Sequence, residues 1–284
     1  MNEKYRLSGK SGNLFLLGSF IGPILITLLC VVYSYINVYN PIVYLTLLVF
    51  LGLLFGIMMV QKLVIKLSKC RSEKSSMLYG IIVALFGVYA SWCTFFFVLF
   101  QRDALSVNFI DIVLNPGMIY EFARSLAKEG YYSLLGIQVK GGLLWFIWIV
   151  ESLGIIAAGA LGGFAMMHKE IFCEHCNRWA EDMDFDLRLA IEDRMETQKV
   201  IETDISKILD YSIYEGENLE HLKINLHHCS RCQNTSTVDV NLISYEANDK
   251  GEIKEKSEDF SPVITLNSSQ FFEFINKNPN YGGA

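Results

Sequence analysis

The chain has 284 residues, of which 52 % are apolar and 19 % charged, with a mean hydropathy of +0.31. It is too apolar for an ordinary soluble domain and too charged for a chain that lies wholly in a membrane. Residues 1–167 carry 12 Lys and Arg against 7 Asp and Glu, a net charge of +5, whereas residues 168–284 carry 12 against 23, a net charge of −11. The acidic second half argues against a nucleic-acid partner, because phosphate contacts need clustered Lys and Arg.

The first long apolar stretch runs from Ser11 to Gln61, 51 residues without Asp, Glu, Lys or Arg. One straight helix of that length would measure roughly 77 Å, far more than the ~30 Å of a bilayer core. The stretch must therefore cross, turn and cross back, and Asn37-Val38-Tyr39-Asn40-Pro41 has the composition of the turn. This pattern predicts membrane spans at about 14–36 and 41–63.

Two further spans are predicted at about 77–100 and 142–167, separated by an extracytoplasmic segment at 102–140. By the positive-inside rule, the N-terminus and the loop after the second span lie in the cytoplasm. Four crossings return the C-terminal half to the same side. The expected location is the cell membrane, crossed several times with both termini cytoplasmic, and a bacterial inner membrane fits this topology. The basic residues that decide the orientation are Lys4, Arg6, Lys10, Lys62, Lys66, Lys69, Arg71 and Lys74.

Within the segment at 102–140, the run Asn115-Pro116-Gly117 predicts the start of a helix and Gly130 its end. Met118, Phe122 and Leu126 fall on one face of it. The helix is expected to lie on the bilayer surface or to cap the bundle.

Small residues recur at helical spacing in every span, and such stripes let helices approach closely in lipid. They serve either to pack this bundle or to join several copies into a homo-oligomer. The residues are Gly18, Gly22, Gly52, Gly56, Gly80, Ala84, Gly87, Ser91, Gly154, Ala158 and Gly162.

Glu151 is the single charge of the fourth span and shares a helix face with Gly154, Ala158 and Gly162. That face predicts that Glu151 points into protein near mid-bilayer. Because no Lys or Arg lies in the interior of any span to pair with it, Glu151 must be protonated, face water, or bond to hydroxyls or indoles, for which the candidates are Tyr89, Ser91 and Trp92. Two interpretations stay open: a functional intramembrane acid, or a neutral acid that joins helices.

Two C-x-x-C pairs, Cys173/Cys176 and Cys229/Cys232, predict one structural zinc ion held by four thiolates. A redox role is the weaker interpretation, because a thioredoxin-like motif needs a βαβ context that is missing here. Three histidines beside the pairs could either hydrogen-bond to the ligating thiolates or replace one of them as a ligand, namely His175, His227 and His228. The remaining thiols, Cys30, Cys70 and Cys93, have no partner spacing and are expected to be unpaired.

The two C-x-x-C knuckles resemble those of zinc ribbons, in which adjoining β-hairpins carry them. The spacing departs from that family, since 52 residues separate the knuckles and an inserted element is required. The whole chain resembles uncharacterised bacterial polytopic membrane proteins with a cytoplasmic zinc-ribbon-like domain. This resemblance implies the architecture and brings no established activity.

Hydrophobic periodicity predicts the strands and helices of the segment between the knuckles and of the rest of the second half. A predicted hairpin turn occupies residues 248–251. After a charged return strand, a last helix begins at Asn267 or Ser268 and carries Phe271, Phe272 and Ile275. The other predicted elements are strands at 184–191, 221–228, 236–246 and 263–266 and an amphipathic helix at about 194–211.

The predicted fold class is membrane α-helical: a four-transmembrane-helix bundle, residues 1–167, followed by a small cytoplasmic α+β zinc-ribbon-like domain, residues 168–284. No Walker A, G-x-G-x-x-G, G-x-S-x-G or H-E-x-x-H motif occurs where it could act, so no catalytic residue is assigned and an enzyme is not expected. The predicted function is a membrane-tethered interaction, scaffold or sensor module whose partners are membrane lipid and a protein bound to the acidic domain. The alternative is an oligomeric pore or ion pathway in which Glu151 lies in the membrane and the zinc domain acts as gate or sensor.

Overall fold

The computed structural model describes residues 3–10, 12, 15–40, 42–134, 137–167, 170–183, 185–216, 219–232, 235–247 and 252–278. The chain divides into two compact units. We call Ser8–Lys169 the helical unit and Met1–Leu7 with Glu170–Ala284 the strand-rich unit. Each is described separately.

The helical unit is built around four long helices. Each of the four is long and apolar enough to cross a membrane, which confirms the prediction of four apolar helices. They form a ring, because α1 and α6 each pack against both α2 and α3. In chain order the elements are α1 (Phe15–Tyr39), α2 (Val43–Ser68), α3 (Glu73–Arg102), α4 (Phe109–Leu114), α5 (Pro116–Glu129), β1 (Tyr132–Leu134), β2 (Ile137–Val139) and α6 (Gly142–Met167).

Three of the long helices extend beyond the predicted spans. Helix α1 continues to Tyr39, and Asn40 makes the turn by accepting a bond from the Ile42 N–H and donating to the Ile42 carbonyl. Pro41 lies outside the described residues. Helix α2 continues to Ser68, and α3 begins at Glu73. A helix can continue beyond its uncharged run, because long basic side chains pack their apolar stems along the helix and extend their charged ends into water.

Helix α5 starts with Pro116 at its first turn and ends before Gly130, whose φ of +92° suits glycine. Its buried face consists of Ile119, Ala123 and Ala127, which join a cluster with residues of α3 and α6. Helix α5 therefore packs against the bundle. The buried face lies one position along the helix from the predicted one. The hairpin of β1 and β2 was not predicted.

The strand-rich unit alternates short strands with helical turns around one long hairpin. Its elements in chain order are β3 (Phe172–Cys173), β4 (Arg178–Trp179), β5 (Glu181–Asp182), β6 (Leu187–Ala190), α7 (Arg194–Thr203), a 3₁₀ helix (Ile205–Asp210), β7 (Glu220–His228), β8 (Ser236–Ala247), β9 (Ile253–Asp259), β10 (Ile264–Leu266) and α8 (Ser268–Lys277).

Strands β7 and β8 form the antiparallel centre of the sheet. Strands β5 and β6 pair with the other edge of β7, and β9 and β10 pair with the other edge of β8. The alternate residues of the two central strands point to one face, where α7, the 3₁₀ helix and α8 cover them. The resulting core includes Leu222, Ile224, Leu226, Val238, Val240, Leu242, Ile201, Ile205, Ile208 and Phe274.

The predicted helix at 194–211 is wrong as a single element. Asp204 is extended, with φ −156° and ψ 109°, and its carboxylate accepts a bond from the Ser206 N–H that starts the 3₁₀ helix. Helix α8 is capped by Asn267, but it buries Phe274 and leaves Phe272 exposed. The predicted turn at 248–251 lies outside the described residues.

The N-terminal segment of the chain belongs to the strand-rich unit. The Tyr5 N–H donates to the Val263 carbonyl and the Thr265 N–H donates to the Glu3 carbonyl, both at 2.9 Å, with Lys4 opposite Ile264. This pairing gives β10 a second neighbour and satisfies backbone groups that a free edge would expose. The contact was not predicted.

Acidification is expected to destabilise the strand-rich unit through His221 on β7. This ring is buried and stacks on Tyr214, with centroids 4.2 Å apart. Burial, assisted by the Arg188 charge, lowers the pKa of His221 below its ordinary value of 6.5. The unfolded chain therefore binds the proton more readily, and stability is lost as pH falls below about 6.5. Urea unfolding at pH 7.5 and pH 5.5 measures this loss.

The matched variant is His221→Phe, which keeps a ring to stack on Tyr214 and cannot be protonated. It is expected to lose less stability than the wild type between the two pH values. Equal losses in both proteins would show that His221 does not contribute.

Candidate functional site

The four cysteines of the two knuckles lie on two hairpins of the strand-rich unit. Cys173 ends β3, which pairs with β4, and Cys176 lies in the turn between these strands. Cys229 directly follows β7, and its N–H donates to the Thr235 carbonyl at 3.0 Å just before β8. Cys232 lies in the turn that this bond closes. Both knuckles are thus carried by adjoining hairpins.

The inserted 52 residues do not separate the knuckles in space. Strand β5 pairs with the end of β7, so that Glu181 is opposite His228, next to Cys229. The first hairpin is thereby held beside the second. The remainder of the insertion, from β6 to β7, contributes to the core of the sheet.

The thiol sulfurs of Cys173, Cys176, Cys229 and Cys232 all lie within 4.8 Å of one another. Those of Cys173 and Cys232 are 3.5 Å apart, and all four cysteines are free of disulfide bonds. A tetrahedral zinc ion with bonds of ~2.3 Å places its sulfurs ~3.8 Å apart. The cluster therefore has the ligand number and spacing that a metal ion needs.

The surroundings of the cluster favour thiolate formation at Cys229. Burial opposes ionisation of this thiol, but hydrogen bonds from the backbone N–H groups of Cys232 and Arg231, together with those from the thiols of Cys173 and Cys232, outweigh burial and lower the pKa of Cys229 to about 7. Cys173 and Cys229 are buried, whereas Cys176 and Cys232 are half-buried. Thiolates are the form that binds a metal ion.

The three histidines beside the knuckles lie outside the four-cysteine group. His175 is exposed, and His228 packs its ring against Phe271. His227 has both ring nitrogens occupied, with Nδ1 at 2.7 Å from Asp182 Oδ1 and Nε2 at 2.6 Å from Asp239 Oδ1. Burial opposes its charge, but these two carboxylates outweigh burial and raise the pKa of His227.

Sequence reasoning missed Tyr5, which supports the first knuckle. Its hydroxyl donates to the Phe172 carbonyl at 3.2 Å and accepts from the Phe172 N–H at 2.8 Å. The Phe172 ring in turn packs edge-on against Trp179, with centroids 5.0 Å apart. A lone tyrosine in a basic N-terminal segment carries no signal for this role.

Glu151 occupies a separate site, inside the helical unit. Its Oε1 accepts a bond of 3.1 Å from the Tyr33 hydroxyl of α1, a partner that sequence reasoning did not name. Of the three candidates that it did name, Tyr89 donates to the Val113 carbonyl, and Ser91 and Trp92 line the same cavity as Glu151.

This cavity has a volume of about 420 Å³, its mouth included. Helices α1, α3 and α6 contribute its walls, and carboxylate, hydroxyl, amide and aromatic groups converge on it. We call it the Glu151 cavity. Its lining residues are Tyr33, Ser34, Asn37, Val88, Ser91, Trp92, Phe95, Trp148, Glu151, Ser152 and Ile155.

The small residues of α6 bring neighbouring helices of the same chain close. A Cβ at Gly154 would meet the Phe50 ring at 2.8 Å, and one at Gly162 would meet Met58 and Gln61 at 3.0 Å, all on α2. Ala158 is buried in the same cluster of helices.

The tightest approach, between α3 and α6, uses Gly159, which sequence reasoning missed. A Cβ at Gly80 would lie 2.1 Å from the Gly159 carbonyl oxygen. These glycines show that the small residues at helical spacing are used for packing within one chain. Self-association of several copies remains a prediction.

The fold and the site define a chain with four helices able to span a membrane, followed by a strand-rich region whose four-cysteine cluster could hold a metal ion. Comparison with known proteins finds no matching family model, no matching curated protein and no matching solved structure. The resemblance to zinc ribbons therefore rests on the two knuckles and the hairpins that carry them.

Proposed function

We propose that this chain is an integral membrane protein that crosses the cell membrane four times and presents a zinc-stabilised interaction module to the cytoplasm. The observation that carries the proposal is the four-cysteine cluster. Four thiolates complete the tetrahedral coordination sphere of a zinc ion and leave no open position, so the metal stabilises the fold and performs no chemistry. Nothing among the described residues points to catalysis, and the proposal assigns none.

The outer surface of the helical unit supports membrane insertion. Large apolar side chains point outward along its long helices, for example Phe20 (72 % exposed), Leu48 (65 %) and Phe146 (61 %). Exposing an apolar surface of this kind to water would cost free energy, whereas lipid tails solvate it. The lipid is thus the first proposed partner.

The N-terminal strand supports the proposed sidedness. Residues 3–5 precede α1 and pair with Val263–Thr265, which follow α6, so the segments before and after the helical unit belong to one folded unit. Four crossings agree with this pairing, because an even number of crossings brings the two flanking segments to the same side of a membrane. The basic N-terminus and the basic loop after α2 favour the cytoplasm. The reducing cytoplasm also keeps cysteines as thiols for zinc.

A protein partner is the second proposed ligand class, bound by the strand-rich unit. This unit is acidic, and an anionic inner leaflet would repel it. Its described surface also exposes large apolar side chains, among them Met195, Leu219 and Phe272. Exposed apolar side chains within a charged surface are typical anchors of protein interfaces.

Photo-crosslinking in living cells tests the interaction module. A photoreactive amino acid at Phe272 is expected to capture one defined protein, and the Cys229→Ser substitution is expected to abolish the capture because the zinc-free unit loses its shape. The matched control is Tyr120, an aromatic residue of similar exposure on α5 of the helical unit. The proposal would be overturned by two results together. These are no capture at Met195, Leu219 or Phe272, and full rescue of a strain that lacks this protein by residues 1–167 alone.

The alternative prediction, an oligomeric pore lined by Glu151, is less favoured by the geometry. The Glu151 carboxylate bonds to Tyr33 of its own chain inside the bundle. A pore between copies would need this group on a surface that faces another copy.

A further inference from the structure

The Glu151 carboxylate lacks a counter-charge of its own. The Tyr33 hydroxyl bonds to it, and no Lys, Arg or His in the described part of the chain lies within ion-pair distance. The surrounding helices are apolar, and a carboxylate in such surroundings needs a positive charge or a proton. Either a proton or a cation from outside the chain can satisfy this requirement.

Aromatic rings form the walls beside this carboxylate. Trp92 and Trp148 meet edge to face with centroids 5.1 Å apart, and Trp92 and Phe95 do so at 6.3 Å. Together with Tyr33, these rings line the Glu151 cavity. Ring faces attract organic cations, and a carboxylate among aromatic rings is the combination that recognises an ammonium group. The edge-to-face contacts hold the rings in place before any ligand binds.

Two of the remaining polar groups are already bonded within the protein. The Ser34 hydroxyl lies 2.9 Å from the Cys30 carbonyl, from the Ser91 carbonyl and from the Ser91 hydroxyl, so both hydroxyls are already bonded within the protein. Hard metal cations are held by oxygen ligands, whereas much of this lining consists of aromatic rings. Such walls favour a cation whose other contacts are apolar.

Beyond the Glu151 cavity, the described interior of the bundle is packed with apolar residues. On α6, the turns that follow Glu151 carry Ile155, which is buried, and Gly159, which touches Gly80 of α3. Ile26 and Ile57 are fully buried in the same cluster of helices as Ile155. This packing favours a binding site over a continuous channel.

We propose that the Glu151 cavity binds a small organic ammonium ion, with the Glu151 carboxylate as counter-charge and the rings of Trp92, Trp148 and Tyr33 as walls. The ammonium belongs either to a free amine or to the headgroup of a membrane lipid. This site is independent of the zinc-stabilised interaction module, and its test uses no property of that module.

The test is calorimetric titration of the purified full-length chain in nanodiscs made only of phosphatidylglycerol, a lipid without an amine. Choline and ethanolamine are the probes, and 3,3-dimethylbutan-1-ol is the uncharged analogue of choline. We expect saturable binding of at least one amine and no binding of the alcohol. Repeating the titration in nanodiscs that contain phosphatidylcholine and phosphatidylethanolamine separates the sources: weaker binding of the free amine identifies the lipid headgroup, and unchanged binding identifies a free amine.

Three variants complete the test. Glu151→Gln keeps the size of the side chain and an acceptor for the Tyr33 hydroxyl, so the fold is preserved, and we expect at least tenfold weaker binding. Trp92→Leu is expected to weaken binding severalfold. Leu153→Ala, an outward-facing neighbour on α6, is the matched control and should bind as the wild type does. Equal binding by Glu151→Gln, equal binding of the alcohol, or no saturable binding of either amine to folded wild-type protein overturns the proposal.

Discussion

Replacing Cys229 by serine is expected to release the metal ion and to lower the melting temperature of the strand-rich unit by ~10–20 °C. Cys229 is buried and joins the end of the central strand β7 to the cluster. The loss of a structural metal is among the largest effects of single substitutions, above about 4 kcal/mol. The sheet has a hydrophobic core of its own, so we expect destabilisation and not the complete unfolding seen in zinc fingers.

The measurements are the zinc content per chain by mass spectrometry and the melting temperature by calorimetry. Cys70→Ser is the matched control, because Cys70 is also buried but lies between α2 and α3, outside the cluster. It should leave the zinc content at one ion per chain. A Cys229→Ser protein that keeps one zinc ion and its melting temperature would show that the cluster does not hold the metal.

Replacing Gly80 by alanine is expected to destabilise the helical unit by about 1–3 kcal/mol. The new Cβ would lie 2.1 Å from the Gly159 carbonyl oxygen, and both atoms belong to helix backbones that must separate to admit it. The helices would lose close packing, which is the main force that holds helices together in lipid.

Gly52→Ala is the matched control for this substitution. The chemical change is the same and occurs within a long helix, but apart from the adjacent backbone of that helix no described atom lies within 4 Å of the new Cβ. This variant should be neutral or slightly more stable, because alanine favours a helix over glycine by ~0.5–1 kcal/mol. Thermal unfolding in mild detergent, followed by tryptophan fluorescence, compares the two variants. Equal shifts in melting temperature would contradict a close approach of α3 and α6.

Helix ends were predictable where a residue acts on its own backbone. Pro116 and Gly130 bound α5 because proline suits a first helical turn and glycine a positive φ, and Asn267 caps α8 through its own side chain. The break at Asp204 was missed, although it too depends on a local side-chain bond. The Asp204 carboxylate caps a 3₁₀ helix, while the apolar pattern continues across this position as in one amphipathic helix. Hydrophobic periodicity reports which residues are buried, and it does not report a break in the hydrogen-bond ladder.

The partners of the site residues were not predictable. Glu151 bonds to Tyr33, 118 residues away in the chain, because α1 and α6 lie across the ring of helices with rotations that let these two side chains meet. Likewise, His227 lies between Asp182 and Asp239 only because β5 and β8 pair with opposite edges of β7. Sequence patterns indicate which face of an element is buried, but the register and rotation that select a partner arise from packing.

The sequence by itself determined the properties that depend on local composition or on ligand chemistry. These are the four apolar helices, the split between a basic and an acidic half, and the metal-ligand character of the two C-x-x-C knuckles. Only the tertiary structure decided that residues 3–5 complete the sheet beside β10, that Gly80 and Gly159 are the closest point of the bundle, and that Glu151 faces aromatic rings. The physical reason is that these contacts join distant parts of the chain, and their geometry exists only once every helix and strand has been packed against its neighbours.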